Sequence, residues 1–340
     1  MKTILVTGGA GFIGSNFIPY FLEKYKEVQL VNIDKLTYAG NLSNLKAIET
    51  HPGYVFVRGD ICNKKLVRTL FAEYDIKGVI HFAAESHVDN SITGPERFIK
   101  TNIEGTFTLL EAARSHWMKA PRQPKTGCGT ARFHHISTDE VYGALGKTGF
   151  FTETTPYAPN SPYSASKAAS DFLVRSYFHT YGLNVVTTNC TNNYGPGQHD
   201  EKLIPTIIRK ALHEEAIPIY GDGNNVRDWL WVTDHCEAID RVFHKGQAGE
   251  TYLIGARNEQ KNIVLANLIC TILDQEKPRQ KGSYKELITF VKDRPGHDLR
   301  YAAAPSKVQH QLGWSAREPF ETGIRKTVNW YLKKYNREVI

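Results

Sequence analysis

Short apolar runs recur along the first half of the chain, with helix-like stretches between them. The run 4–7 passes through a cluster of glycines into an apolar-periodic stretch at 12–22. Further runs stand at 28–33, 54–58, 79–82, 133–137 and 185–189. A short apolar run bounded by turn residues reads as a buried strand, and strands alternating with helices form βαβ units. Such units lie parallel in one sheet, joined by right-handed crossovers. The rhythm breaks in the second half. Proline and glycine crowd 195–197 and 218–223, and helical patterns follow at 202–214, 234–245, 264–273 and 320–334. The pattern predicts an α/β protein with a doubly wound parallel sheet over 1–190 and a smaller C-terminal α/β lobe over 191–340. Segments around 228–255 are expected to return to the first domain. The basic, Pro- and Gly-containing stretch 119–131 reads as a surface loop between a helix and a strand.

The first strand ends in T-G-G-A-G-F-I-G, with Gly8, Gly9, Gly11 and Gly14. Glycines there permit a tight turn and a close approach of backbone to a pyrophosphate. The helix that follows turns its N–H groups and positive dipole end toward the same point. This is a Rossmann-like dinucleotide site, which makes 1–190 the cofactor domain. Asp34 ends the second strand, twenty residues after Gly14. A carboxylate there accepts the adenosine ribose hydroxyls and repels a 2′-phosphate, which favours NAD over NADP. Asp60 and Ile61, after the third strand, are placed to meet the adenine.

Tyr163 and Lys167 form Y-x-x-x-K at a helix start after Pro162. The i, i+4 spacing puts both on one helix face. A neighbouring ammonium is expected to lower the phenol pKa, so that a tyrosinate can serve as base near neutrality. Upstream, Thr138, Asp139 and Glu140 follow the strand 133–137, at the carboxyl end of the sheet where open α/β folds place ligands. A hydroxyl with two adjacent carboxyls can hold a substrate oxygen and supply both an acid and a base, provided their surroundings separate the two pKa values.

The glycine loop, Y-x-x-x-K and T-D-E together resemble the extended short-chain dehydrogenase/reductases, and within them the nucleoside-diphosphate-sugar 4,6-dehydratases. The likeness runs over essentially the whole chain. It includes H-F-A-A-E-S-H-V-D-N-S-I (81–92), N-N-Y-G-P (192–196), E-K-L-I-P (201–205), I-Y-G-D-G-N-N-V-R-D-W-L (219–230) and D-R-P-G-H-D (293–298). The stretch 197–200 and the length of the 119–131 loop depart from the family pattern.

The resemblance implies a lyase that turns dTDP-glucose into its 4-keto-6-deoxy product plus water, for deoxysugar synthesis. Tyr163, assisted by Lys167, would take the 4-hydroxyl proton as C4 is oxidised by NAD. Glu140 would remove the C5 proton, Asp139 would protonate the departing 6-hydroxyl, and Thr138 would hold the C4 oxygen. The cofactor, regenerated each cycle, is expected to stay bound. The family pattern adds Phe12, Ile13, Lys35, Thr37, Ala83, Ala84, Ser86, Thr101 and Asn193 to the NAD site. It assigns Ser86, Asn192, Lys202, Leu203, Asn262, Arg294 and His297 to the nucleotide sugar, with Pro218, Ile219 and Tyr220 at the base. Arg227 joins Arg294 as a fork for the diphosphate, unless it pairs structurally with Asp228 or Glu237. A homodimer through a four-helix interface is also implied, built from the helix near 104–117 and the one spanning 163–181.

Composition narrows the alternatives. Hydrophobic residues make up 41% and charged residues 23% of 340, ordinary globular usage. Lys and Arg exceed Asp and Glu by 42 to 35, a net +7 that calls for an acidic partner. The basic residues are scattered and match no nucleic-acid motif. No apolar run is long enough to span a bilayer, and no signal peptide is evident. Five dispersed cysteines argue for reduced thiols in the cytoplasm. No metal cluster is visible, since His134 and His135 are adjacent on a strand and point to opposite faces. Two rivals share the glycine loop and Tyr163: a nucleotide-sugar 4-epimerase, which needs no Asp-Glu pair, and a cofactor-binding regulator without catalysis. A third is a 4,6-dehydratase for another nucleotide.

Overall fold

Ile4, Leu5 and Val6 are consecutive and all fully buried, because the strand that carries them is covered on both faces. In the computed structural model, which describes residues 2–337, that strand is β1 (Lys2–Thr7), in the interior of a seven-stranded parallel sheet. The chain continues through α1 (Phe12–Lys24), β2 (Val28–Asp34), β3 (Tyr54–Arg58), α2 (Lys64–Glu73) and β4 (Ile76–His81). Then come α3 (Val88–Thr93), α4 (Glu96–Phe98), a π-helical stretch Ile99–Gly105 and α5 (Thr106–Trp117). A short hairpin, β5 (Met118–Ala120) and β6 (Gln123–Pro124), precedes β7 (Arg132–Thr138), α6 (Pro162–Tyr181) and β8 (Val185–Cys190). The sheet order is β3-β2-β1-β4-β7-β8, and it is completed by β12 (Thr251–Ile254). Strand order reverses between β1 and β4, which opens a crevice at the carboxyl ends of the strands.

Side chains alternate across the sheet. Leu5, Val79 and Phe133 pack under α2, α5 and α6, while Ile4, Val6 and Ile80 pack under α1 and α8 (Val232–Lys245). A buried carboxylate fastens those last two helices. Asp240 accepts from Tyr20 and Tyr25 at 3.0 and 2.9 Å, with Lys24 and His244 against it. Burial works against that charge, but hydrogen bonds from His244, Lys24 and Tyr25 bring its pKa down to about 2.

The second half supplies β9 (Asn192–Tyr194), α7 (Leu203–Leu212), β10 (Ile217–Tyr220), β11 (Val226–Trp231) and β13 (Glu259–Lys261). With α9 (Asn262–Glu276), β14 (Ile288–Val291), α10 (Ser306–Leu312) and α11 (Phe320–Arg337), these elements follow the first six strands of the sheet. A separate core of Ile207, Ile208, Ile269, Leu273, Ile324 and Val328 joins α7, α9 and α11. The segment that returns to the large sheet comprises α8 and β12, whereas β11 pairs with β9 and β13.

Four histidines are buried and neutral. Nδ1 of His81 lies 2.7 Å from Thr7 Oγ1, and His134 lies 3.1 Å from Thr188 Oγ1. His135 faces Asp171 at 3.1 Å, and His235 meets Asn193 at 2.8 Å. Burial lowers all four, His135 to about 4 and His235 to about 3. The stretch 119–131 is more structured than a plain loop. Arg122 adopts φ 60° and donates to His179 O near the end of α6, while Lys125 donates to Ser115 O near the end of α5. Its cations thus neutralise two helix C-termini. All five cysteines are free. Among the described residues, no helix is long and apolar enough to cross a membrane and no cluster is placed to hold a metal ion.

Candidate active site

The turn after β1 is held by glycine for two different reasons. Gly8 has φ +70°, and a Cβ on it would lie 2.6 Å from the Ala83 backbone. A Cβ on Gly14 would come within 2.6 Å of Gly9 Cα, so helix α1 could not sit so near the turn. Gly11 is different. A Cβ there would meet only Gly8 O, at 3.3 Å, and would otherwise project into a cavity of about 350 Å³. Packing does not require that glycine, but a backbone-hugging ligand does. Asp34 is oriented by the N–H groups of Ala10 and Leu36, at 2.9 and 2.8 Å, and lines the same cavity. The residues present therefore fit a dinucleotide with an unphosphorylated ribose.

The same cavity brings together every residue assigned to the cofactor: Gly8, Gly11, Phe12, Ile13, Gly14, Asp34, Lys35, Thr37, Asp60, Ile61, Ala83, Ala84, Ser86, Thr101, Tyr163, Lys167 and Asn193. Lys35 pairs with Asp60 at 2.8 Å across the adenine end. The Asn193 amide is already engaged, donating to Thr191 O and facing His235.

Helix α6 delivers the Tyr–Lys pair. Ser161 caps it in a reciprocal box with Ser164, Pro162 occupies its first turn, and Gly182 ends it in the left-handed conformation. Lys167 Nζ donates to Ile136 O at 2.8 Å, on the strand that ends in Thr138. Burial brings the Lys167 pKa down to about 8, opposed by Asp171 one turn along. Tyr163 departs from the sequence expectation. Burial, with Glu140 and Cys190 nearby, holds its phenol well above the ordinary value rather than below it. Desolvation of the buried hydroxyl is the largest cause.

The two carboxyls at the end of β7 are in different surroundings. Burial, then the charges of Glu140 and Asp228, raise Asp139 well above the usual carboxylate range. Asp139 Oδ2 is buried with no hydrogen-bond partner, a polar atom aimed at nothing in the protein. Glu140 is raised by burial too, but Arg294, Lys202 and Arg227 oppose the shift. Thr138 Oγ1 lies 3.4 Å from Asp139 Oδ1 and accepts from Glu140 N at 3.3 Å.

The candidate substrate residues divide. Ser86, Thr138, Asn192, Lys202 and Leu203 line the cavity, with Lys202 Nζ donating to Ser86 O across the cleft at 2.9 Å. Seven others lie outside that lining. Arg294 and Tyr220 both reach Asp89, at 3.2 and 3.3 Å, and His297 lies beside Asp293 at 2.6 Å. Together they form a second patch between α3 and the lobe. Ile219 is packed in the lobe core, which leaves its flanking Pro218 and Tyr220 nearer the surface. Asn262 is buried with its Oδ1 unpartnered. Arg227 pairs with neither Asp228 nor Glu237. It donates to Val226 O and Asp298 O and stacks over Tyr301 at 4.3 Å. The cavity also contains Glu85, Cys190, Thr191, Gln198, His199, Glu201 and Trp229, which sequence reasoning did not single out. Glu85 and Glu201 stood inside quoted motifs, but only the fold shows that they face the cleft.

The family model described as GDP-mannose 4,6 dehydratase matches residues 5–327. A dTDP-glucose 4,6-dehydratase of Xanthomonas campestris pv. campestris (strain B100) is 57% identical over 98% of this chain and 93% of its own length. The structure of dTDP-glucose 4,6-dehydratase from Bacillus anthracis str. Ames, in complex with NAD, superposes with a TM-score of 0.86 at 46% identity, covering 99% of this chain and 98% of that one. The enzyme of the same name from Streptomyces venezuelae, also with NAD bound, gives 0.88 at 42% identity, with the same coverage of both chains. With its glycine cradle, its Asp-Glu pair and these matches, the chain belongs to the dTDP-glucose 4,6-dehydratase family.

Proposed function

We propose that this chain is an NAD-dependent hydro-lyase that converts dTDP-glucose to dTDP-4-keto-6-deoxyglucose and water. The observation that carries the reading is the pair Asp139 and Glu140. Two adjacent carboxyls, Asp139 buried and Glu140 half-buried, with unlike surroundings, lie in the cavity that also holds Tyr163 and Lys167. Bound NAD supplies an acceptor for the hydrogen that leaves C4 and a donor for the hydrogen that arrives at C6. Tyr163 takes the 4-hydroxyl proton. Burial holds its pKa up, and positive charge beside it, from Lys167 and the nicotinamide, would favour its ionised form. Thr138 holds the C4 oxygen. Once C4 is a ketone, the C5 proton is acidic; Glu140, with three cations favouring its ionised form, removes it and gives a proton back to C5 when C6 receives its hydrogen. Asp139, kept protonated by burial and by Glu140, gives its proton to the departing 6-hydroxyl. Substrate and cofactor held together in one cleft make both hydrogen transfers effectively intramolecular.

In this reading residues 1–190 hold mainly the dinucleotide and the following lobe holds the nucleotide sugar. Arg227, Arg294, Asn262 and His297 serve the diphosphate side, and Pro218, Ile219 and Tyr220 the base. The enzyme works in the cytoplasm as a homodimer through the α4–α5 and α6 helices. Large apolar side chains exposed there support that pairing: Ile99, Phe107 and Phe172, the last 58% exposed. The test is product analysis after incubation with dTDP-, UDP-, CDP- and GDP-glucose. A 4-keto-6-deoxy product from the dTDP sugar is expected. A C4 epimer instead would replace this reading with the epimerase one, and no turnover of any sugar would reject both.

A further inference from the structure

The stretch 195–202 contains the four residues, 197–200, that depart from the family pattern, and the chemistry above gives Asp200 no role. It crosses the cleft between the two halves of the molecule. On its inner side, Gln198, His199, Glu201 and Lys202 line the cavity. Three contacts run from it to the dinucleotide half. Asn16 at the start of α1 donates to Pro196 O at 3.0 Å, the His199 ring meets the edge of Tyr38 at 5.4 Å, and Lys202 reaches Ser86 O.

On its outer side the strap is fastened to α11. Asp200 Oδ1 accepts from Lys334 Nζ at 3.0 Å and from Tyr335 OH at 2.9 Å, and Gln198 O accepts from Tyr331 OH at 2.5 Å. The Asp200 carbonyl is taken by Thr206 Oγ1 at 2.9 Å. Asp200 itself is not part of the cavity lining. One carboxylate holding an ammonium and a phenol is a strong, geometry-specific fastening, and it lies two residues from Lys202 and one from Glu201.

We propose that Asp200 is a positioning residue, tying the cleft-crossing strap to α11 so that the strap retains the dinucleotide between turnovers. The inference rests on the NAD reading and extends it to how the cofactor is kept. Without the Asp200 carboxylate the strap loses two of its three ties to α11, and only the Tyr331 hydrogen bond to Gln198 O still backs the inner contacts.

The experiment measures exchange of protein-bound NAD against labelled NAD in the wild type, Asp200→Ala, Asp200→Asn and Arg325→Met. Arg325 also sits on α11 but binds Gln275 and Glu276, away from the strap. Asp200→Ala, which removes the acceptor of both Lys334 and Tyr335, is expected to release NAD about tenfold faster or more. Asp200→Asn, which keeps an acceptor for Tyr335, should fall between it and the wild type. Arg325→Met should match the wild type. Steady-state kinetics at saturating NAD should show kcat largely restored in Asp200→Ala. Release from Asp200→Ala at the wild-type rate would overturn the proposal, as would equal acceleration by Arg325→Met. A wild-type protein that binds no NAD at all would instead overturn the functional reading, and this proposal with it.

Discussion

Asp139 and Glu140 are neighbours in sequence, yet burial and charge give them different tasks. Asp139 has lone pairs without partners and two carboxylates adding to its burial, while Glu140 has three cations in its field. Replacing Glu140 with Gln keeps the size and removes the base. The variant should still oxidise bound sugar at C4, visible as reduced nicotinamide absorbance in a single turnover. Product formation should drop by about 10²–10⁴, the usual worth of a general base. Dehydration at the wild-type rate would show that another group removes the C5 proton. At this scale the sequence is informative about which side chains meet, because T-D-E and Y-x-x-x-K each follow from a single turn of backbone. How strongly burial acts on the Tyr163 phenol is not legible there, since enclosure comes from residues far away in the chain.

Helix α6 is legible at both ends: Ser161 and Pro162 start it and Gly182 stops it. The apolar runs likewise mark the strands, because a parallel sheet covered on both faces needs unbroken apolar segments. Strand β12 is harder to read. Its four residues, T-Y-L-I between Gly249 and Gly255, favour a strand, but the run is short and only the structure shows that it pairs with β8. The hairpin in 119–131 was equally hidden, since its role is to meet the ends of two other helices. One face of α6 remains unpaired in the isolated chain, where Phe172 stands exposed although its neighbours pack inward. If that face pairs two subunits, Phe172→Glu should convert a dimer to a monomer in sedimentation at micromolar protein. Dimers that persist unchanged would place the interface elsewhere.

Across the whole molecule, the features that sequence could not supply are contacts between distant segments. Asp89 and Arg294 are 205 residues apart, and Lys202 and Ser86 are 116 apart. Each closes the cleft between the two halves, and no pattern within either half announces it. The buried histidines have a consequence of a similar reach. His81, His134, His135 and His235 are uncharged in the native protein and become ordinary imidazoles when the chain unfolds. Their native pKa values are depressed, so their contribution is fully present above about pH 6.5 and is lost as pH falls through the native values, about 4 for His135 and about 3 for His235. Unfolding in that window takes up about four protons, which steepens the loss of stability to about 5 kcal/mol per pH unit at its greatest. Denaturant midpoints measured from pH 7 to pH 4 should fall along that slope, and a slope near zero would mean that the imidazoles are already charged inside. A protein with this arrangement is poised against acid like a capacitor. It resists until its interior histidines can be charged, and then gives way within a narrow span of proton concentration.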